Sequence, residues 1–438
     1  MRKNLFLLAT IVLSGAMLSC SSSDDDVDLG EAKTVVNMLS ESIPIRLTQE
    51  QQVFANDNNR FTLNFLKTVN DGDQSGQSFI YSPLSITYVL GMVNDAATGQ
   101  TEQELEQTLG FHEGGIQAVN DYCKKLIDGL PKVDKDVTLD IANAIFVNKN
   151  NAKLKPQFEQ DMQTYYNAKA EALDFTASST LDHINGWCNE KTNGMIPSIL
   201  DEINPTMVSY LLNAIYFKAD WASKFDEKNT RDETFTNEEG HATTLPLMHQ
   251  NVLINYLKND TYRAIEMPYG NGSWKMTVML PEEGKTTDDI INRLANCGIL
   301  EGNGFCGTMG DNYGHYEVDL KLPRFETSSD TDLVPGRLIG LMQKMGIHLA
   351  FDRQYAEIPN MCERPVYINM MRQKARIKVN EEGSEAAAVT IAGGMYTSGI
   401  IGPIEYPTAT FHANRPFVYV ISELRTGIIL FVGKFTGM

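Results

Sequence analysis

The sequence predicts an α+β fold, one large domain behind an export segment. Three observations predict it. Helix-like apolar spacing dominates the first half of the 438 residues and strand-like runs dominate the second, which favours α+β over alternating βαβ units. The hydrophobic content of 42% supplies a large core. No internal repeat and no mid-chain linker rich in Pro, Gly or Ser divides the chain.

The N-terminus reads as a targeting segment. Arg2 and Lys3 form a charged start, and Leu5 to Leu13 an apolar run shorter than the ~20 residues that span a bilayer. "GAMLSC" ends at Cys20 and resembles a bacterial lipobox, with Met17 an unusual residue three positions before the Cys. Residues 1–19 are therefore read as a lipoprotein signal peptide and Cys20 as the lipidation site; the alternative is an ordinary signal peptide with an incidental Cys. "SSSDDD" (Ser21–Asp26) resembles signals that route lipoproteins to the cell surface, and a solvated spacer reads equally well. The expected location is the outer membrane, anchored through lipid and not spanning. Residues 20–47 are read as the lipidated end and a flexible tether, and 48–438 as the folded domain.

Within that domain, Val53, Phe54, Phe61, Phe65 and Leu66 recur at helical spacing and predict a first long helix over Thr48–Asp71. "SFIYSPLSITYVLGMVNDAATG" begins as a short strand. Ser82-Pro83 then starts a helix, because Pro suits the first helical position, and Gly99 closes it. Thr101 with Glu104 reads as a capping box. Strands are predicted over Leu139–Asn150, Met207–Trp221, Trp274–Pro281 and Glu317–Phe325, in "RIKV" (Arg376–Val379), and in the tail runs "FVYVISE" and "GIILFVGKF". Helices are predicted over Leu181–Ile196 and Leu333–Ile347.

Several function classes lack support. A formal charge of −19 repels phosphate backbones, so nucleic-acid binding is disfavoured. The seven His lack the companion ligands of a zinc site, so no metal is expected. Asn303–His315 is Gly-rich without the GK[ST] of a phosphate loop, and no GxSxG occurs; no cofactor and no catalytic residue is assigned. With Cys20 set aside, five Cys at irregular spacing make no disulfide framework; Cys297 and Cys306 are near enough to pair, and nothing requires it.

"FHANRPFVYVI" (Phe411–Ile421) resembles the signature that follows the reactive loop in the serpin family, and "NEEGSEAAAVT" (Asn380–Thr390), about thirty residues upstream, resembles the serpin hinge. "SFIYSPLSI", "LLNAIYFKADW", "LKLPRF" and "LMQKMGI" resemble further family segments in the same order. The resemblance covers roughly Thr48 to Phe435. It implies about three β-sheets, eight to nine helices and an exposed reactive-centre loop at about residues 381–410. It also implies a monomeric suicide-substrate inhibitor of serine proteases, not an enzyme. The sheet-opening residues it implies are Ser82, Ser85, Asn213, Trp221 and Gln373. At Gln373 the family usually carries His, so the opening step is altered here.

The hinge is Glu381, Glu382, Gly383, Ser384, Glu385, Ala386, Ala387 and Ala388. Taken alone, this stretch has the propensity of a helix start. As a strand, Ser384, Ala386, Ala388, Thr390 and Ala392 would share one face. All five are small and uncharged, so nothing charged need be desolvated if that face enters a sheet. That composition favours inhibition; the alternative is a non-inhibitory serpin-fold surface protein that binds a partner. Counted from Glu381 by family spacing, the reactive bond joins Thr397 and Ser398, with Met395 and Tyr396 as alternatives. A loop several residues longer than typical leaves the position open. The absence of Arg and Lys there points away from trypsin-like targets and toward chymotrypsin-, elastase- or subtilisin-like ones.

Overall fold

The computed structural model of the chain describes residues 33–34, 42–72, 76–112, 114–297, 312–331, 336–384 and 405–437. Its elements run in the order β1 (Lys33–Thr34), α1 (Gln49–Asn70), β2 (Phe79–Tyr81), α2 (Pro83–Ala96), α3 (Gly99–Leu109), α4 (Gly115–Gly129), β3 (Thr138–Asn148), α5 (Pro156–Tyr166), β4 (Lys169–Leu173), α6 (Ser179–Lys191) and β5 (Ser209–Asp220). There follow β6 (Arg231–Thr236), β7 (Ala242–Lys258), β8 (Tyr262–Tyr269), β9 (Trp274–Pro281), α7 (Thr287–Cys297), β10 (Asn312–Pro323), β11 (Phe325–Asp330) and α8 (Arg337–Met345). The chain ends with β12 (Met371–Val379), β13 (Gly383–Ser384), β14 (Thr408–His412), β15 (Phe417–Glu423) and β16 (Ile429–Phe435). The fold is α+β, with eight α-helices among the described residues.

Two hydrogen-bonded sheets carry the architecture. The smaller has the order β11-β12-β13-β5-β3-β4. The larger runs β14-β10-β7-β8-β9-β15-β16-β2, with β1 and β6 attached to β7. The third sheet that the resemblance implied is joined to the second through β7. Its first residues pair with β6 and its last four with β8, so one long strand serves both parts. Helix α2 is buried on every side but Asp95, because it packs against β3 and β5 of one sheet and β16 of the other.

The local signals behave unevenly. A capping box forms at Thr48 and Gln51, one turn before the apolar periodicity of α1 begins. Pro83 opens α2 behind Ser82. Gly99, expected to close that helix, instead opens α3; α2 ends at Ala96, and Gly99 adopts φ +61. The capping box expected at Thr101 and Glu104 is absent, since both lie inside α3. Their oxygens serve the tertiary structure instead: Thr101 Oγ1 accepts from Glu357 N, and Glu104 Oε2 from His348 N and Leu349 N. The single strand expected over Glu317–Phe325 is two, split at Arg324, where the chain passes from the larger sheet to the smaller. Cys123, Cys188 and Cys362 are buried free thiols, whereas Cys297 is disulfide-bonded. Cys20 and Cys306 lie outside the described residues.

Candidate functional site

The site is a pair of strands joined at one end and parted at the other. At the joined end β12 and β5 are parallel neighbours, from Met371 opposite Leu211 to Lys374 opposite Ala214. Beyond those residues they have no mutual pairs. Strand β13 stands between them instead, antiparallel to both: Ser384 pairs with Val379 and with Ala219, and Gly383 with Asp220. The hinge has therefore placed two residues inside the sheet. Everything around them explains how a chain of these residues can be held there.

Gly383 is required by proximity. A Cβ at this position would lie 2.1 Å from the carbonyl oxygen of Ala219 and 2.6 Å from Asp220 Cα, so any side chain would push the hinge out of the sheet. Ser384 is 1% exposed, and its Oγ lies 2.7 Å from Tyr269 Oη. A small hydroxyl fits where a long side chain would not. Tyr269 is itself fixed by stacking on Trp221, with ring centroids 4.3 Å apart and planes 11° from parallel.

Trp221 holds the turn that leads into β13. Its indole Nε1 donates to Asn380 O at 2.9 Å, and its backbone N to Glu382 O at 2.7 Å. Asn380 then shapes the turn itself: its Oδ1 accepts from Glu382 N and Gly383 N, at 3.1 and 3.2 Å. Phe225 N donates to Glu381 O, so the segment after β5 grips two successive hinge carbonyls.

The two hinge glutamates have different partners. Glu381 is buried, and both its carboxylate oxygens accept from Arg324 Nε at 2.7 Å, with Thr230 Oγ1 donating as well. Burial alone would raise its pKa; the Arg324 and Thr230 hydrogen bonds outweigh that and hold the carboxyl below its ordinary value. Glu382 pairs with Lys224, which also reaches Asp220 at 2.8 Å. Burial would lower the Lys224 pKa, but hydrogen bonds to the two carboxylates raise it above its ordinary value.

At the joined end the polar groups lie beneath the sheet. Gln373 is 1% exposed and uses both ends of its amide: Oε1 accepts from Ser82 N at 3.1 Å and Nε2 donates to Ser82 O at 2.9 Å. Ser82 Oγ donates to Ser85 Oγ at 3.0 Å. Asn213, directly opposite Gln373, turns away from it and donates to Asn143 Oδ1 at 2.9 Å. Asn213 Oδ1 and Asn143 Nδ2 are buried with no hydrogen-bond partner among the described residues.

The structure thus brings Trp221, Glu381, Glu382, Gly383 and Ser384 together at the parted end, and Ser82, Ser85, Asn213 and Gln373 at the joined end. Glu385, Ala386, Ala387, Ala388, Met395, Tyr396, Thr397, Ser398 and Cys20 lie outside the described residues. Sequence reasoning did not single out Tyr269, Asn380, Arg324, Thr230 or Lys224. Two of them left a trace: Arg324 as the Arg of "LKLPRF" and Asn380 as the first residue of "NEEGSEAAAVT". Among the described residues no His/Cys/Asp/Glu cluster could hold a metal.

Comparison with known proteins agrees with this geometry. The family model described as serpin (serine protease inhibitor) matches residues 56–437. Serpin B6 of Pongo abelii is 28% identical over 391 residues, covering 88% of this chain and 99% of its own. The leukocyte elastase inhibitor of Sus scrofa is 30% identical over 385 residues, covering 86% and 97%. The native-state crystal structure of the thermophilic serpin tengpin superposes with a TM-score of 0.75 at 24% identity, over 94% of this chain and 98% of that one.

Proposed function

Because this chain belongs to the serpin family and is a protease inhibitor of that kind, we propose that it traps serine proteases by completing the insertion that Gly383 and Ser384 begin. The observation that carries the reading is the two-residue strand between β5 and β12. Its register can be continued. With Ser384 opposite Ala219 and Val379, an inserted chain brings Ala386 opposite Phe217 and Ile377, and Ala388 opposite Ile215 and Ala375. Thr390 then falls between Asn213 and Gln373, and Ala392 between Leu211 and Met371. The small residues meet the apolar stretch of the slot, and the one hydroxyl meets its polar point.

The chemistry follows from that path. The protease nucleophile attacks the bait carbonyl, its oxyanion hole stabilises the tetrahedral species, and an acyl-enzyme forms. Separation of the cut ends frees the hinge side to zip between β5 and β12, drawing the acylated protease along. A strand the length of β5, 12 residues, spans about 40 Å. Deacylation needs an aligned triad and oxyanion hole, so dragging the protease against the inhibitor stops it with the ester intact.

The bait is read as Thr397–Ser398, with Met395 and Tyr396 as alternatives, and the targets as chymotrypsin-, elastase- or subtilisin-like. The name of the porcine relative, an elastase inhibitor, supports the elastase-like class. The chain is read as an exported outer-membrane lipoprotein anchored at Cys20. The disulfide at Cys297 supports export, since such bonds persist in oxidising compartments. Incubation with a protease panel tests the reading. An SDS-stable adduct should form, with release of a C-terminal peptide beginning at Ser398. Cleavage without an adduct, by every protease tried, would instead favour a non-inhibitory binding protein.

A further inference from the structure

A buried carboxylate stands behind the hinge. Asp134 lies in the loop between α4 and β3 and is 1% exposed. Burial raises its pKa above the ordinary value, against the pull of the backbone amides it accepts from. Each of its oxygens holds a different amide. Oδ1 accepts from Asp136 N at 2.9 Å, within its own loop, and Oδ2 from Asn271 N at 2.8 Å, in the turn between β8 and β9. An amide side chain offers one acceptor oxygen, so Asn in this place could hold only one of the two. Beside it Val133 O accepts from Ser273 Oγ at 3.2 Å, so loop and turn meet at two points.

The turn that Asp134 holds reaches the hinge by two routes. Gly270 passes so close to the carboxylate that a Cβ there would lie 2.2 Å from Asp134 Oδ2, and its φ of +46 lies in the left-handed region that favours glycine. Gly270 N donates to Asp220 O at 2.9 Å, and Asp220 is the residue of β5 that pairs with Gly383. The residue before it, Tyr269, pairs with Trp221, stacks on its ring and meets Ser384 Oγ at 2.7 Å. Within the turn Gly272 N donates to Tyr269 O at 2.7 Å and Ser273 N to Asn271 Oδ1 at 2.9 Å, so a displacement of Asn271 is passed to Tyr269.

We propose that Asp134 is a positioning residue for the hinge: by fixing Asn271 it sets the place of Tyr269, and through Tyr269 the hold on Ser384 at the mouth of the slot. Ser384 is where insertion has begun, so its hold decides how firmly the first two residues stay between β5 and β12. A misplaced Tyr269 would leave the buried Ser384 hydroxyl without its partner and loosen both strand pairs. The positioning stands on the resting structure, whereas its effect on trapping rests on the function proposed above.

A double-mutant cycle in the full mature chain tests it. Asp134→Asn keeps the shape and gives up one of the two amides. Tyr269→Phe keeps the ring on Trp221 and deletes the hydroxyl that meets Ser384. Hydrogen exchange of the amides at 382–384 should quicken about threefold in each single variant, and the double variant should be no faster than the quicker single one. Exchange at 144–147, in the half of β3 away from Asp134, should stay unchanged. Protease cleavage of the loop should keep its rate in Asp134→Asn while the SDS-stable adduct falls by about half, because the positioning acts after acylation. Unaltered exchange at 382–384 in both Asp134→Asn and Asp134→Ala overturns the proposal; if Asp134→Ala does not fold, Asp134→Asn decides alone. Effects that multiply in the double variant overturn the route through Tyr269. Equal quickening at 382–384 and 144–147 reduces Asp134 to a general stabiliser and overturns the proposal as well. The exchange readouts need no protease, so a chain that formed no adduct would count against the inhibitor reading alone.

Discussion

The two ends of the β5–β12 pair are built from different interactions. The joined end is closed by direct strand pairing and by one amide, Gln373, clamped on the backbone of Ser82. The parted end is held by charges and an aromatic stack at the rim: Glu381 on Arg324, Lys224 between Asp220 and Glu382, and Trp221 on Tyr269. Arg324 and the Lys224, Asp220 and Glu382 group are partly solvated and inexpensive to rearrange, whereas the amide clamp is buried and costly to break. The difference gives the sheet a direction of opening. Insertion starts where contacts can be exchanged for similar ones in water and proceeds toward the end where they cannot.

The largest expected effect comes from obstructing the path between the ends. Ala386→Glu would carry a charge into the slot between Phe217 and Ile377, both buried, at a cost of several kcal/mol with no partner. Cleavage should then outrun insertion and the chain should become a substrate. The SDS-stable adduct should drop to about a tenth or less while the resting protein keeps its melting temperature. An undiminished adduct yield would mean that this face does not enter the sheet.

Next comes the clamp. Gln373→Ala leaves Ser82 N buried without its partner, while Ser82 O keeps the amides of Ser85 and Ile86, a loss of roughly 1–3 kcal/mol. The resting protein should melt several degrees lower, and it should open spontaneously, losing inhibitory activity faster on warming. Equal melting temperatures for Gln373→Ala and the parent would show that strand pairing alone keeps the joined end shut.

The rim should respond less. Glu381→Gln removes a carboxylate whose partner, Arg324, remains 43% exposed, so the loss should be about 1 kcal/mol. The same contact gives a pH signature. Glu381 is held below its ordinary value, so its contribution is complete above about pH 4.3 and disappears as pH falls through the lowered folded value. Melting temperatures of parent and Glu381→Gln should therefore differ near neutrality and converge as pH falls below that lowered value. A gap that persists in acid would assign the stabilisation to packing instead of the ion pair.

The sequence made the fold legible because its strands and helices are long and its core is patterned: β9 occupies the very residues expected, Trp274–Pro281. It also displayed the hinge, because a run of small residues is a local property. The rim was not legible in the same way. Tyr269, Arg324 and Thr230 come from three separate segments, and nothing in their local context marks them until β8, β11 and β6 are brought beside the hinge. Thr101 and Glu104 misled for the same reason. Their spacing matches a capping box, but tertiary partners at Glu357, His348 and Leu349 claim both oxygens.

The smallest effect probes where the two ends meet. In the resting sheet Asn213 Oδ1 is buried and lacks a hydrogen-bond partner among the described residues, a cost of roughly 1–3 kcal/mol carried at the joined end. Continued register brings Thr390 to this level, between Asn213 and Gln373, with its side chain on the same face as Ser384. Its hydroxyl can donate to Asn213 Oδ1, so the inserted state satisfies an acceptor that the resting state does not. Insertion would then gain by hydrogen bonding as well as by apolar burial, and the gain would come late, after the alanines have passed. Thr390→Val keeps the shape and deletes the donor. It should leave the resting melting temperature unchanged, lower that of the loop-cleaved form by an amount matching about 1 kcal/mol, and reduce the adduct fraction slightly. Equal stability of the two cleaved forms would place the hydroxyl elsewhere and shift the inserted register from the one that Gly383 and Ser384 define.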